Sequence, residues 1–224
     1  RARPPATGGE RGVHVKWRGG LPTRGQRYNG PYGSYNPGIC AGPAQGTVSG
    51  GLLHMLMSHD TTGKGGATWY SAGLALSGFS SVDARVTVRF RVVDNGISSH
   101  FIIPMRWPDN DASWPAAGEE DYCEGNATSC STYLHYSSSN QQVYHEGYLT
   151  GLDQWHTLQT VRRDHVVQMY RDGTLVWTYT GTSTTLPDSL KHVVLQQECQ
   201  SGCPSGTAGS EDIQIDWITV EVPS

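Results

Sequence analysis

The chain is predicted to be all-β, and three observations lead there. Glycine reaches 28 and proline 12 of 224 residues, a turn-rich composition suited to many short strands. Residues 81–93 alternate cleanly, with Val82, Ala84, Val86, Val88 and Phe90 on one face and Arg85, Thr87, Arg89 and Arg91 on the other. Residues 212–221, D-I-Q-I-D-W-I-T-V-E, read as a closing strand whose partners must be distant in sequence. That last feature favours one domain over two, and all-β units of about 200–250 residues are ordinary.

Taken in order, residues 1–46 read as an irregular N-terminal segment rich in Gly, Pro, Tyr and Asn, with Tyr28, Tyr32 and Tyr35 packing it on, or wrapping it over, a single domain at 47–224. Its first residues resemble a mature or trimmed N-terminus. Residues 47–58 form a first strand, with Val48, Leu52, His54 and Leu56 as its candidate face. Strands at 68–76 and 81–93 follow, then an apolar strand at 98–105 that runs into a Trp-rich loop. Residues 131–136 carry Tyr133 and His135 two apart and therefore on one face. Residues 155–160 and 165–170 belong to a hairpin region marked by the D-G turn signal at Asp172-Gly173. Residues 187–190 suit a short helical turn, and 192–197 another strand.

Net charge is −4 and no basic run exceeds two residues, which excludes nucleic acid and anionic membranes as partners. No apolar stretch approaches membrane-spanning length, and a monomer is expected. Of the five Cys, Cys123 with Cys130 and Cys199 with Cys203 are close enough for local disulfides, leaving Cys40 over. Disulfides imply an oxidising, extracellular setting, so a secreted protein is expected. C-x-x-x-C alone lacks the further ligands a zinc site needs.

Residues 107–125 hold the chemistry: W-P-D-N-D-A-S-W-P-A-A-G-E-E-D-Y-C-E-G. A solvated loop would have no use for Trp107 and Trp114. Glu119 and Asp121 share a strand face, whereas Glu124, five positions from Glu119, would point the other way in a regular strand. One extra residue near Tyr122-Cys123, a β-bulge, brings Glu124 back to the same face. The two Glu would then sit about four strand steps, ~13 Å of backbone, apart. Side chains of that length can converge on one glycosidic bond as nucleophile and acid/base, with an Asp between them to separate their pKa values.

Gly118-Glu119-Glu120-Asp121-Tyr122-Cys123-Glu124-Gly125 resembles the G-E-[apolar]-D-x-x-E signature of glycoside hydrolase family 16, in the bulged form of laminarinases, agarases and carrageenases. The preceding W-P-x-x-G, Trp114 to Gly118, matches as well. The resemblance implies a β-jelly-roll sandwich of two antiparallel sheets with a concave substrate groove. It makes Glu119 the nucleophile, Asp121 the assisting carboxylate and Glu124 the acid/base. The unbulged register would align Glu120, Tyr122 and Glu124 and lose the middle acid, so it is rejected. Glu120 departs from the family, which places Ile, Leu or Val there facing the core; a carboxylate in that position must be protonated, paired or near an edge.

The same resemblance extends from about residue 47 to the end. Trp69-Tyr70-Ser71-Ala72-Gly73 is similar to a stretch with an exposed aromatic beside the cleft, making Trp69 a candidate substrate contact. His135 and Tyr133 lie on the strand that contributes a His or aromatic to the cleft. One of Gln196 and Gln197 should face the groove, and Gln197 is the candidate. Trp107 and Trp114 would stack on sugar faces.

The implied activity is endo-acting, retaining hydrolysis of a β-linked polysaccharide, β-1,3-glucan or mixed-linkage β-glucan first. Few cations near the site favour a neutral glucan over a sulfated polymer. No cofactor or catalytic metal is expected; relatives often hold a structural calcium, for which no acid cluster stands out. A non-catalytic glycan-binding jelly roll would keep the Trp residues without needing both Glu119 and Glu124. A lyase would need sequence patterns that the chain lacks, and transglycosylation uses the same residues as hydrolysis.

Overall fold

The computed structural model describes residues 10–17, 25–27, 30–31, 39–41, 45–59, 69–198 and 208–223. Along the chain these residues form β1 (Glu10–Lys16), β2 (Gly25–Arg27), β3 (Gly30–Pro31), β4 (Ile39–Ala41), β5 (Gly46–Ser49), β6 (Leu52–His59), β7 (Trp69–Ser71), β8 (Gly73–Ser81) and β9 (Ala84–Asp94). There follow β10 (His100–Pro108), one 3-10 turn (Asp111–Ser113), β11 (Glu119–Gly125), β12 (Ser129–Tyr136), β13 (Gln141–Thr150) and β14 (His156–Arg163). The last four are β15 (Val166–Arg171), β16 (Thr174–Thr180), β17 (Lys191–Glu198) and β18 (Ser210–Pro223). No helix among the described residues is long and apolar enough to cross a membrane.

Two sheets make a β-jelly-roll sandwich. The seven-stranded sheet has the order β13-β12-β11-β10-β17-β8-β2. The eleven-stranded sheet runs β16-β15-β14-β9-β18-β6-β7-β4-β3, with β1 added to β18 and β5 to β6. Pairing is antiparallel apart from the short β4–β7 contact. As the closing strand requires, β18 finds its partners far back in sequence: β9 along one side, and on the other β6 over its first half and β1 over its second. The two sheets pack through residues such as Phe90 and Phe101, whose rings meet edge to face at 6.5 Å, with Tyr122, Leu134, Leu195, Ile213 and Ile215 fully buried around them.

Several local expectations change. Residues 10–16, inside the stretch read as irregular, are a strand paired to β18 along its length. The first predicted strand is really two, β5 and β6, joined at Gly50-Gly51, whose positive φ angles of 57° and 81° make the tight two-residue turn. On β6 the buried face is Leu53, Met55 and Met57 rather than Leu52, His54 and Leu56; the turn sets the register and so inverts the face. Residues 187–190 form no helical turn, and the Pro187 carbonyl accepts instead from the side chains of Arg162 and Lys191. The D-G turn is as expected, with Asp172 and Gly173 at positive φ between β15 and β16. Tyr28, Tyr32, Tyr35 and the Cys199–Cys203 pair lie outside the described residues.

Candidate active site

The site lies on the outer face of the seven-stranded sheet, and a pair of matched bulges builds it. Between β11 and β12 the register shifts from Asp121↔Tyr133 to Glu124↔Ser131, so β11 carries one extra residue. Tyr122 and Cys123, consecutive in sequence, both turn into the core at 0% exposure. Side-chain parity flips there: Glu119 and Asp121 face outward before the bulge and Glu124 after it. Strand β10 does the same. Its register against β17 shifts between Ile102 and Met105, so His100 and Ile102 face outward below the shift and Met105 and Trp107 above it. Because both strands carry the extra residue at the same level, β10 and β11 stay in step, Ile102 opposite Glu124 and Met105 opposite Asp121.

The ends of β11 are fixed by glycines. Gly118 has φ 78°, and a side chain there would crowd the His135 carbonyl and the Pro187 ring. A side chain at Gly125 would run into the Ser129 carbonyl oxygen. Between them, the bulge residue Cys123 is bonded to Cys130 on β12.

Glu120 faces inward and is 2% exposed. Its carboxylate lies 3.1 Å from Arg106 Nη1, 3.2 Å from Arg162 Nε and 3.5 Å from Lys191 Nζ. Tyr122 Oη–H donates to it at 2.5 Å. Burial alone would raise its pKa, but Arg106, Lys191, Arg162 and the tyrosine hydrogen bond together bring it down to about 2. The unusual carboxylate is therefore ionised and paired. Arg162 comes from β14 in the opposite sheet, so the cluster ties the two sheets together behind β11.

On the outer face, Glu119, Asp121 and His135 come together. Trp114 Nε1–H donates to Glu119 Oε2 at 2.6 Å, and His135 Nε2 lies 3.0 Å from Asp121 Oδ2. The other ring nitrogen of His135 is held near Asn140 Oδ1, at 2.8 Å. Burial, and then the Asp121 charge, push the Glu119 pKa well up; His135 and the Trp114 indole oppose this. Asp121 is likewise raised, first by burial and then by Glu124. Two buried neighbouring carboxyls cannot both ionise easily, so a proton between them separates their roles. Glu119, Asp121 and His135 also each offer a ligand atom within 4.8 Å of the others, a spacing that could hold a metal ion.

Trp107 and Trp114 are half-buried and stack on each other, ring centroids 6.0 Å apart and planes 18° from parallel. Asp111 holds the Trp107 indole N–H at 2.7 Å. Tyr133 lies opposite Asp121, with its ring 6.0 Å from that of the exposed Tyr144. These aromatics flank the carboxylates.

Two sequence candidates are elsewhere. Trp69 is 1% exposed in the eleven-stranded sheet, its ring edge-on to His59, and it has no free face for a ligand. Gln197 is fully buried between the sheets, donating to Ser99 Oγ at 3.2 Å; strand parity gives the outward position to Gln196. Sequence reading missed His100 and Glu198. His100 Nε2 lies 3.1 Å from Glu124 Oε1, and its Nδ1 lies 3.1 Å from Glu198 Oε1. The signal was the odd step between Ile102 and Met105, which alternation counted straight through cannot detect.

By sequence, no protein-family model and no curated protein matches the chain. By structure it is similar to a LamA variant from Z. galactanivorans in complex with laminaritriose and laminaritetraose, at 16% identity and TM-score 0.74, over 94% of this chain and 98% of that one. The catalytic domain of an endo-1,3-beta-glucanase (laminarinase) from Thermotoga petrophila gives 16% identity and TM-score 0.76 over 97% and 100%. SCLam, a non-specific endo-beta-1,3(4)-glucanase from family GH16, gives 18% and 0.75 over 96% and 92%. The chain therefore has the β-jelly-roll fold of these glucanases along nearly its whole length.

Proposed function

We propose that the protein is a retaining, endo-acting glycoside hydrolase of the family 16 kind, cleaving β-1,3-glucan or mixed-linkage β-glucan by double displacement. The observation that carries this reading is the parity flip at Tyr122-Cys123, which brings Glu119, Asp121 and Glu124 to one face. Glu119 attacks the anomeric carbon while Glu124 protonates the departing oxygen, giving a covalent glycosyl-enzyme. Glu124 then takes a proton from water, which attacks the same carbon and releases Glu119. Asp121 hydrogen-bonds Glu119 and, held by His135, sets its orientation. Trp107 and Trp114 offer apolar ring faces to the sugar C–H groups. The reaction needs no cofactor.

The substrate class follows from charge. The only Arg or Lys in β8, β10–β13 and β17 are Arg106 and Lys191, and both are buried on the core side. Among the described residues of these strands no Arg or Lys faces outward to meet a sulfated or uronate polymer, and His100 is already paired with Glu124 and Glu198, so a neutral glucan fits better. The laminari-oligosaccharides bound to the LamA variant support the same choice. The Cys123–Cys130 disulfide supports secretion.

The test is a reducing-sugar screen on laminarin, mixed-linkage β-glucan, agarose, carrageenan and alginate, with wild type beside Glu119→Gln. Release from a β-glucan that disappears in the variant is the expected result. Binding to a glycan with no release by wild type would point instead to a non-catalytic glycan-binding domain.

A further inference from the structure

We propose that His100 and Glu198 are positioning residues for Glu124, forming a carboxylate–imidazole–carboxylate clamp that sets the orientation and working pH range of the acid/base. The inference rests on the hydrolase reading above and adds two residues to it.

The geometry is specific. The imidazole bridges two strands, with Glu124 of β11 at 3.1 Å from one nitrogen and Glu198 of β17 at 3.1 Å from the other. All three side chains are largely buried, at 15%, 12% and 8% exposure. Glu198 is itself fixed by Gln196 Nε2, which donates to its second oxygen at 2.8 Å. A chain of hydrogen bonds thus runs Gln196–Glu198–His100–Glu124. Next to the clamp the same face is floored by the apolar cluster Ala75, Ile102, Met105 and Val194. Polar groups buried in such a place are costly unless paired, and here they end on the one carboxylate that must exchange a proton with substrate.

Among the described residues, the carboxylates around His100 come from two strands. Asp121 and Glu124 approach from β11 and Glu198 from β17, while β12 contributes only His135, held by Asp121. Burial works against a charged imidazole, but Glu124 and Glu198 outweigh it and raise the His100 pKa to about 9. At neutral pH Glu124 therefore faces a cation whose far side is neutralised by Glu198. The imidazolium thus lies beside the oxygen from which Glu124 gives up its proton, and Glu198 shares its charge.

The two partners consequently act in opposite directions. Removing the cation in His100→Gln leaves Glu124 beside an uncompensated Glu198, so Glu124 keeps its proton to higher pH. The alkaline limb of kcat/KM on the polymer should move up by about one pH unit. Removing the second carboxylate in Glu198→Gln should move the same limb down. A merely structural role would lower amplitude in both variants without opposed shifts.

The experiment measures kcat/KM against pH for wild type, His100→Gln and Glu198→Gln on the polymer and on an aryl β-glycoside with a strongly acidic leaving group. That second substrate needs no protonation, so the limb shifts should shrink on it. As a measurement independent of turnover, 15N-histidine NMR of the wild type should show His100 charged up to about pH 9, and Glu124→Gln should let it titrate lower. Limbs that coincide in all three proteins, or a His100 neutral at pH 7, would overturn the clamp while leaving the hydrolase reading standing. A wild type that cleaves no glycan, or a fully active Glu124→Gln, would remove the hydrolase reading and the clamp with it.

Discussion

Glu119 and Glu124 point to the same face of β11 although five residues separate them, because Tyr122 and Cys123 both turn into the core. That relationship depends on keeping the extra residue in place, and the Cys123–Cys130 bond fastens it to the neighbouring strand. Closing so short a loop contributes about 2–3 kcal/mol in the chain-entropy picture. The double variant Cys123→Ala/Cys130→Ala should lower Tm in a thermal melt and reduce kcat more than it raises KM. An unchanged kcat would mean that the Gly118 and Gly125 ends hold the bulge unaided.

Glu120 should prove a stability residue rather than a reacting one. Glu120→Gln leaves Arg106, Arg162 and Lys191 facing one another without their shared anion. Breaking a buried pair in this way typically costs about 3–5 kcal/mol. Calorimetry should show a large fall in Tm, while the protein that remains folded retains turnover. In the wild type, with the folded pKa near 2, this contribution is present above ~4.3, the unfolded value, and lost as pH falls toward 2. A Glu120→Gln variant that melts like wild type would contradict the role.

The proposed mechanism gives Trp114 two functions, and one substitution separates them. Trp114→Phe keeps an aromatic face but removes the N–H that donates to Glu119. That hydrogen bond favours the Glu119 carboxylate, so the acidic limb of kcat/KM should rise, by roughly one pH unit for a charge-assisted bond. Trp107→Ala should instead weaken polymer binding and raise KM. If both variants changed KM alone, the indole N–H would have no part in setting the nucleophile.

Glu211 gives the fold its own pH dependence. It is fully buried, accepts from Ser99 N–H at 3.0 Å and from the Ser99 hydroxyl, and burial pushes its pKa up to about 7 despite those bonds. A raised carboxyl stabilises the fold most below its unfolded value of ~4.3, and the contribution is lost as pH rises through 7. Tm of the wild type should therefore decline more steeply between pH 5 and 8 than Tm of Glu211→Gln. Parallel curves would contradict the assignment.

Legibility in the sequence followed local periodicity. The strand at 81–93, the D-G hairpin and the closing strand could be read because alternation and turn residues act over a few positions, and they appear as β9, β15–β16 and β18. The bulge in β11 was legible because three acids mark the face on both sides of it. The bulge in β10 was not, since Phe101, Ile102, Ile103 and Met105 are apolar on both faces and no residue reports the flip. His100 and Glu198 were hidden behind it. Gln197 was assigned outward for a related reason: Gln196 and Gln197 are identical neighbours, and only the register with β10 tells which one faces out. Trp69 looked like a cleft aromatic, but it sits between β6 and the more distant β4, where Ile39 pairs with it, and that pairing leaves no local signal in the sequence.

Labelling of the nucleophile tests the central claim most directly. Wild type should be incubated with a 2-deoxy-2-fluoro-β-glucosyl or laminaribiosyl fluoride, which forms the glycosyl-enzyme and slows its hydrolysis. Intact mass and peptide mapping then locate the adduct. The account predicts a single adduct on Glu119, absent in Glu119→Gln and still formed in Glu124→Gln. An adduct on Glu120, or none from a wild type that hydrolyses β-glucan, would contradict the bulged register or the covalent mechanism.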